Sequence, residues 1–333
     1  MNVLLTGGAG YIGSHAAVAL EKAGHRALVY DNFSNSSPGI VRQVERIVGH
    51  PLTVAHGDVR DTDFLVRMIQ THAVDAVIHF AGLKAVGESV RDPVSYYANN
   101  VQGTISLLQA MQTTGLRSLV FSSSATVYGD PQYLPLDERH PTGATNPYGR
   151  SKLHIEEMLS DVARSDPAWR IACLRYFNPV GAHESALIGE NPKGVPSNLM
   201  PYMAKVAAGQ LPCLNVYGDD YPTPDGTGVR DYVHVMDLAD GHVAALRFVC
   251  QTTGWHAINL GTGRGHSVLE MVQAFEAACG VAIKRHLVAR RAGDVASAYA
   301  KVDKAAQLLG WTAQRGLDEM CASAWRYQRM QSE

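Results

Sequence analysis

The sequence predicts an α/β protein in which a doubly wound parallel sheet is joined to a smaller mixed α/β substrate-binding domain. Three observations carry that prediction. Short β-rich apolar runs alternate with longer segments of helical period from the first residues onward. The runs show no polar face, the pattern of strands covered by helices on both sides. A glycine-spaced turn, Gly7, Gly10 and Gly13, directly follows the first run and opens a helix. At 333 residues the chain has roughly two domains' worth of length, enough to bury a core without disulfide or metal staples.

Taken in order, residues 3–6, 27–30, 52–55, 76–81, 119–122 and 171–176 read as the strands of the parallel sheet. Among the crossovers, Tyr97, Val101, Ile105, Leu108 and Met111 recur at helical spacing after Pro93, and Tyr148, Lys152, Ile155 and Leu159 do so after Pro147. Proline in the first turn of a helix loses no hydrogen bond, so both prolines open long helices. The longest uncharged stretch, 93–116, contains Asn99, Asn100, Gln102, Gln109 and Gln112, too many amides for a bilayer span. Segments 181–201 and 212–228 are rich in Gly, Pro and Asn around one short run at 214–217, and irregular backbone of this length reads as a ligand-binding region. A strand at 232–235, a helix at 237–248 and a strand at 257–260 then read as a return to the first sheet. Ser267 and Glu270 form a capping box, and helices follow at 303–309 and 317–330. The expected division is 1–178 plus 231–262 for the first domain and 179–230 plus 263–333 for the second.

Lys and Arg number 29 against 31 Asp and Glu, a net charge of -2, with 18% charged and 46% hydrophobic residues. That balance excludes a broad phosphate-neutralising or membrane-binding surface and leaves room for one locally bound anion. The five cysteines, at 173, 213, 250, 279 and 321, are isolated and odd in number, so neither a disulfide framework nor a metal site is expected. The first strand begins at once, leaving no room for a secretory leader, and a cytoplasmic protein is expected.

The glycine turn makes the sharpest chemical statement. A pyrophosphate can approach a helix N-terminus closely only where the backbone turns tightly and carries no Cβ. Asp31 closes the second strand 18 residues after Gly13, placed to accept hydrogen bonds from the adenosine ribose and to repel a 2′-phosphate, which favours NAD. Asp58 after the third strand and Phe80, Ala81 and Gly82 after the fourth sit at carboxyl ends of strands, where such sheets bind ligands. Capping its own loop is an equally good role for Asp58.

Tyr148 and Lys152 lie four apart, on one face of a helix. Free tyrosine titrates near ~10, so a tyrosine base working near neutrality needs its phenolate stabilised by about 3 units. The Lys152 cation and an oxidised nicotinamide have the right sign to supply this. Ser124, at the end of the fifth strand, can relay the proton.

These residues resemble the extended branch of the short-chain dehydrogenase/reductase superfamily, with its Rossmann fold, and more narrowly the UDP-glucose 4-epimerase family. The resemblance runs through 6–14, 80–89, 121–129, 147–152, 174–183, 198–201 and 226–240. It implies reversible, NAD-dependent C4 epimerisation of UDP-glucose and UDP-galactose through a 4-keto sugar, with Tyr148 as base. It further implies cofactor contacts from Tyr11, Ile12, Asn32, Asn35, Ser36, Val59, Lys84, Asn99, Ser122 and Phe177. UDP-sugar contacts are implied for Asn178, Asn198, Leu199, Asn215, Tyr217, Arg230, Arg291 and Asp294. For Arg230, an ion pair with the neighbouring Asp231 is the plainer alternative. A sister 4,6-dehydratase carries an acidic pair just before the Val-Tyr-Gly segment, where this chain has Ala125 and Thr126. A non-catalytic dinucleotide sensor would typically have lost the Tyr-Lys pair. At Ala298 some family members carry a bulky tyrosine lining the sugar pocket, so UDP-N-acetylglucosamine and UDP-N-acetylgalactosamine become candidate substrates. A homodimer is expected through the two long helices after Pro93 and Pro147.

Overall fold

The computed structural model describes residues 1–291 and 293–332. The first half builds in the expected alternation: β1 (Asn2–Thr6), α1 (Tyr11–Lys22), β2 (Arg26–Asp31), α2 (Pro38–Val48), β3 (Thr53–His56), α3 (Thr62–Thr71) and β4 (Ala76–His79). Two short helices, α4 (Val86–Arg91) and α5 (Pro93–Tyr96), lead through a π-helical turn at Tyr97–Val101 into α6 (Gln102–Thr114). Then come β5 (Ser118–Ser124), a 3-10 turn at Ala125–Tyr128, α7 (Pro147–Ser165), β6 (Arg170–Tyr176) and β7 (Asn178–Val180).

The remainder is α8 (Leu199–Ala207), β8 (Leu214–Tyr217), β9 (Val229–His234), α9 (Val235–Val249), β10 (Gly254–Leu260), β11 (Gly265–Ser267) and α10 (Val268–Cys279). It closes with β12 (Arg285–Val288), β13 (Ser297–Ala298), α11 (Asp303–Leu309) and α12 (Leu317–Ser332).

The large sheet runs β10-β6-β5-β4-β1-β2-β3, parallel throughout. Alternate side chains feed two cores. Leu5 and Val120 pack with α1 and α9 on one face, and Leu4 and Phe121 pack with α3, α6 and α7 on the other. Strand order reverses between β1 and β4, and the crevice at that switch point is where such sheets bind ligands. A third core joins α8, α10 and α12 under a smaller sheet, and β12 pairs with β8 alongside.

One strand corrects the sequence reading. The run 232–235 does not return to the large sheet: β9 pairs with β7, β11 and β13 in the small one. Only α9 and β10 go back, with β10 beside β6. The pattern of β9 could not separate the two cases, because it is buried on both faces in either sheet. No helix among the described residues is long and apolar enough to cross a membrane.

Candidate active site

At the switch point the glycine turn leaves a backbone-lined cradle. Gly7 adopts φ +72°, and a Cβ there would meet the Ala81 backbone nitrogen at 2.6 Å. A Cβ on Gly13 would lie 2.5 Å from the Gly7 carbonyl, so the helix starts against the turn itself. Gly10 caps α1 without a side-chain hydrogen bond, leaving the first backbone N–H groups of the helix turned to the cleft. Asp31 is buried and held from three sides, accepting from Ala9 N at 3.0 Å, Phe33 N at 2.8 Å and Ser36 Oγ at 2.9 Å. These residues fit a dinucleotide: a dipole-backed anion cradle with an oriented carboxylate at the next strand end.

Around the cradle, Tyr11 donates its hydroxyl to Gly181 O at 2.7 Å, tying α1 to the second domain, and Ile12 packs into the α1–α9 core. Asp58 is gripped by the fork of Arg60 at 2.8 Å on both oxygens and by Asn32 at 3.1 Å. The Arg60 guanidinium holds its carboxyl well below the usual range. The loop-capping role is therefore filled in this structure. Val59 is buried against Gly103, and Asn35 lies exposed on the turn after Asp31.

Tyr148 and Ser124 meet as expected. Ser124 caps the 3-10 turn, its Oγ accepting from Thr126 N at 3.2 Å and from Thr126 Oγ1 at 2.9 Å. Burial pushes the Tyr148 phenol up, while the Ser124 hydrogen bond and the Lys84 charge pull it down. Lys84, from the loop after β4, therefore adds its charge at the phenol, a cation to which the helical spacing did not point. Lys152 instead reaches past it, donating to Ser122 O at 2.7 Å with its ammonium 4.8 Å over the Phe121 ring. Burial lowers its pKa to about 8.

Two residues that sequence reasoning passed over organise this centre. Asn100, beside the predicted Asn99, is buried and binds Leu83 N at 2.8 Å, Leu83 O at 3.0 Å and Ser151 Oγ at 3.0 Å. It latches the loop carrying Gly82 and Lys84 to α7, whereas Asn99 is only half-buried. Both asparagines lie in the π-helical turn, and no local pattern announces such a turn. Glu190 bridges Lys84 at 3.1 Å and Asn198 at 2.7 Å, joining the two domains across the cleft. Its only sequence signal was its place in an irregular segment.

The substrate candidates gather on the second domain. Asn198 caps α8 with Leu199 next to it, Asn178 opens β7, and Asn215 and Tyr217 project from β8. Arg291 lies 5.4 Å over the Tyr217 ring and pairs with Asp294 at 3.1 Å. Arg230 forms no ion pair with Asp231. Successive strand residues face opposite ways, and Asp231 is turned inward to Thr262 N at 2.8 Å, Gly263 N at 2.9 Å and Ala300 N at 3.1 Å. Among the described residues, the guanidinium donates only to Val229 O at 2.9 Å. Ala298, on β13, packs against a cluster that holds Val127, Tyr128 and Phe177, while Tyr299 lies against Gly265.

Comparison with known proteins agrees with this geometry. A family model described as GDP-mannose 4,6 dehydratase matches residues 4–324. The chain is 56% identical to a UDP-glucose 4-epimerase of Mus musculus over 334 residues, covering 98% of this chain and 96% of that protein. A UDP-glucose 4-epimerase structure from Stenotrophomonas maltophila, with bound NAD and formylated UDP-arabinopyranose, superimposes with a TM-score of 0.98 at 52% identity over 100% of this chain and 99% of the other. One from Bifidobacterium longum in complex with NAD+ and UDP gives 0.96 at 52% identity, over 100% and 99%.

Proposed function

Since the chain belongs to the UDP-glucose 4-epimerase family and interconverts UDP-glucose and UDP-galactose with NAD, we propose that Tyr148 is its catalytic base, with Lys152 and Ser124 beside it. The observation that supports this reading is the junction of α7 with the end of β5: a half-buried phenol on a serine hydroxyl, with an ammonium one turn further along the helix. NAD held by the glycine turn and Asp31 would supply a reversible hydride acceptor for C4, so that the reaction has no net redox change. The residues of the chain do the rest. Tyr148 takes the C4 hydroxyl proton and later gives it back, and Ser124 holds that hydroxyl in line with the phenol. Lys84 and Lys152 favour the phenolate by their charge.

The UDP part is held by Arg230, Arg291, Asn178 and Asn198 at the diphosphate and sugar, Asp294 at the ribose, and Tyr217 with Leu199 and Asn215 around uracil. Firm anchoring there and a loose grip on the sugar let the 4-keto intermediate turn its other face. The turn before Val127 holds Ala125 and Thr126, with no carboxylate for dehydration. The decisive experiment is conversion of UDP-galactose by Tyr148→Phe. Turnover at the unmodified rate would remove the assignment.

A wider substrate range follows from Ala298. Its small side chain packs against the cluster that holds Val127 and Tyr128, and a tyrosine at this position would take up space that a 2-acetamido group needs. UDP-N-acetylglucosamine is therefore a second substrate. A homodimer is proposed through α6 and α7, next to which Val90 and Val94 are 62% and 75% exposed. Light scattering that returned a monomer would refute it. All five cysteines are free thiols, which suits a reducing cytoplasm.

A further inference from the structure

Beneath the Tyr148–Lys152 face of α7 lies an ion pair with no part in binding either ligand. Glu156 follows Lys152 by one turn and meets Arg175 of β6 at 2.6 Å, the two side chains 2% and 4% exposed. Ser123, next to Ser124 and in register with Arg175, donates to the same carboxylate at 2.5 Å. On its other side the Arg175 guanidinium lies 4.8 Å over the ring of Tyr128, which closes the turn that Ser124 caps. Tyr128 is fixed in turn by its hydroxyl, which donates to Asn259 at 2.6 Å. One pair thus touches the helix carrying Tyr148 and Lys152, the strand end carrying Ser124, and the turn beyond it.

Stability does not explain these charges. Well-packed hydrophobic side chains in place of a buried ion pair are often as stable or more so. One guanidinium nitrogen, Arg175 Nη1, is buried without a partner, a cost an apolar core would not carry. What an apolar core lacks is direction: a bidentate fork fixes the spacing and register of the elements it joins.

We propose that the Glu156–Arg175 pair is a positioning element of the reaction, which sets α7 against β5 so that Tyr148, Ser124 and Lys152 come into catalytic register. The proposal rests on the reading of Tyr148 as base. The pair also sets the field at Lys152. That ammonium is faced by Glu156 on its own helix, by Cys173 on β6 and by His79 on β4. Burial keeps His79 neutral and raises the Cys173 thiol, so the Glu156 carboxylate is the charge that favours the ammonium against its burial.

The test compares Glu156→Gln with Leu159→Ala, a cavity in the buried part of the same helix. Glu156→Gln, which keeps the shape and removes the charge, is expected to lower kcat about tenfold to a hundredfold with KM changed less than about threefold. The alkaline limb of its kcat profile moves to lower pH by about one unit, because Lys152 loses its proton more easily. Leu159→Ala lowers the melting temperature without moving that limb. If the two variants match in kcat and pH profile, the pair is merely structural and the proposal is overturned. Should Glu156→Gln fail to fold, Arg175→Lys decides: it keeps the charge and loses the fork, and full kcat would overturn the proposal as well. Tyr148→Phe in the same series separates the two readings. An inactive Tyr148→Phe beside a fully active Glu156→Gln removes only the present inference, whereas an active Tyr148→Phe removes the catalytic assignment.

Discussion

The cofactor cradle and the substrate face are built by opposite means. Around the glycine turn the key groups are buried and already bound to one another: Asp31 to three donors, Asn100 to two elements, Lys152 to a strand-end carbonyl. Across the cleft, Asn178, Asn198, Asn215, Tyr217 and Arg291 are exposed. The charged groups there pair only at the surface, as in Arg291 with Asp294. An exposed pair of this kind contributes little and exchanges readily for a diphosphate. The difference follows from the reaction. The cofactor returns to its starting state each cycle and can be enclosed, whereas the nucleotide sugar enters, turns and leaves.

The sharpest way to break the contrast is to fill the cradle. Gly13→Val places carbon within 3 Å of backbone that cannot move aside, and the purified variant should carry no NAD and show no epimerase activity. Nucleotide release on denaturation, measured by absorbance, checks this.

The enclosed half should also fail in acid. Burial lowers His15 and His79 to about 3 and His242 to about 4, against about 6.5 in the unfolded chain. The unfolded chain binds the extra protons, so their stabilisation is complete above about pH 6.5 and is lost as pH falls towards 4. At pH 5.5 each costs about 1.4 kcal/mol, roughly 4 kcal/mol together. Denaturant titrations at pH 7.5 and 5.5 would show it, and equal midpoints would contradict it.

On the open face, effects should fall on KM. Arg230 has no carboxylate partner among the described residues, so Arg230→Ala should raise KM for UDP-galactose about 10- to 100-fold, the worth of one charge-assisted hydrogen bond, with kcat nearly kept. Ala298→Tyr should cut turnover of UDP-N-acetylglucosamine about tenfold or more and leave UDP-glucose within about threefold. Equal turnover of the acetylated sugar by both forms would disprove the gate. The smallest effect is expected from Tyr217→Ala, about a three- to fivefold rise in KM, because an exposed ring gains little from stacking.

Much of this was legible in the chain. The glycine turn, the strand-end Asp31 and Ser124, and the Tyr148–Lys152 helix are local patterns, each fixed by residues within a few turns of one another. The strand at 232–235 was legible as a strand but not as a member of one sheet or the other. Asn100 stayed hidden, because no local pattern announces the π-helical turn from which it reaches Leu83 and Ser151. Lys84 and Glu190 are 106 positions apart, and nothing in either segment marks them as partners.

By itself the sequence determined the elements and their chemistry, since backbone sterics, helical period and glycine's missing Cβ act over short spans. Tertiary structure decided the pairings: that Lys84 adds its charge at Tyr148, that Arg230 and Asp231 do not pair, and that Glu156 reaches Arg175 beneath the Tyr148–Lys152 face. Such contacts join groups far apart along the chain, and they form only when packing brings their elements together and removes the water between them.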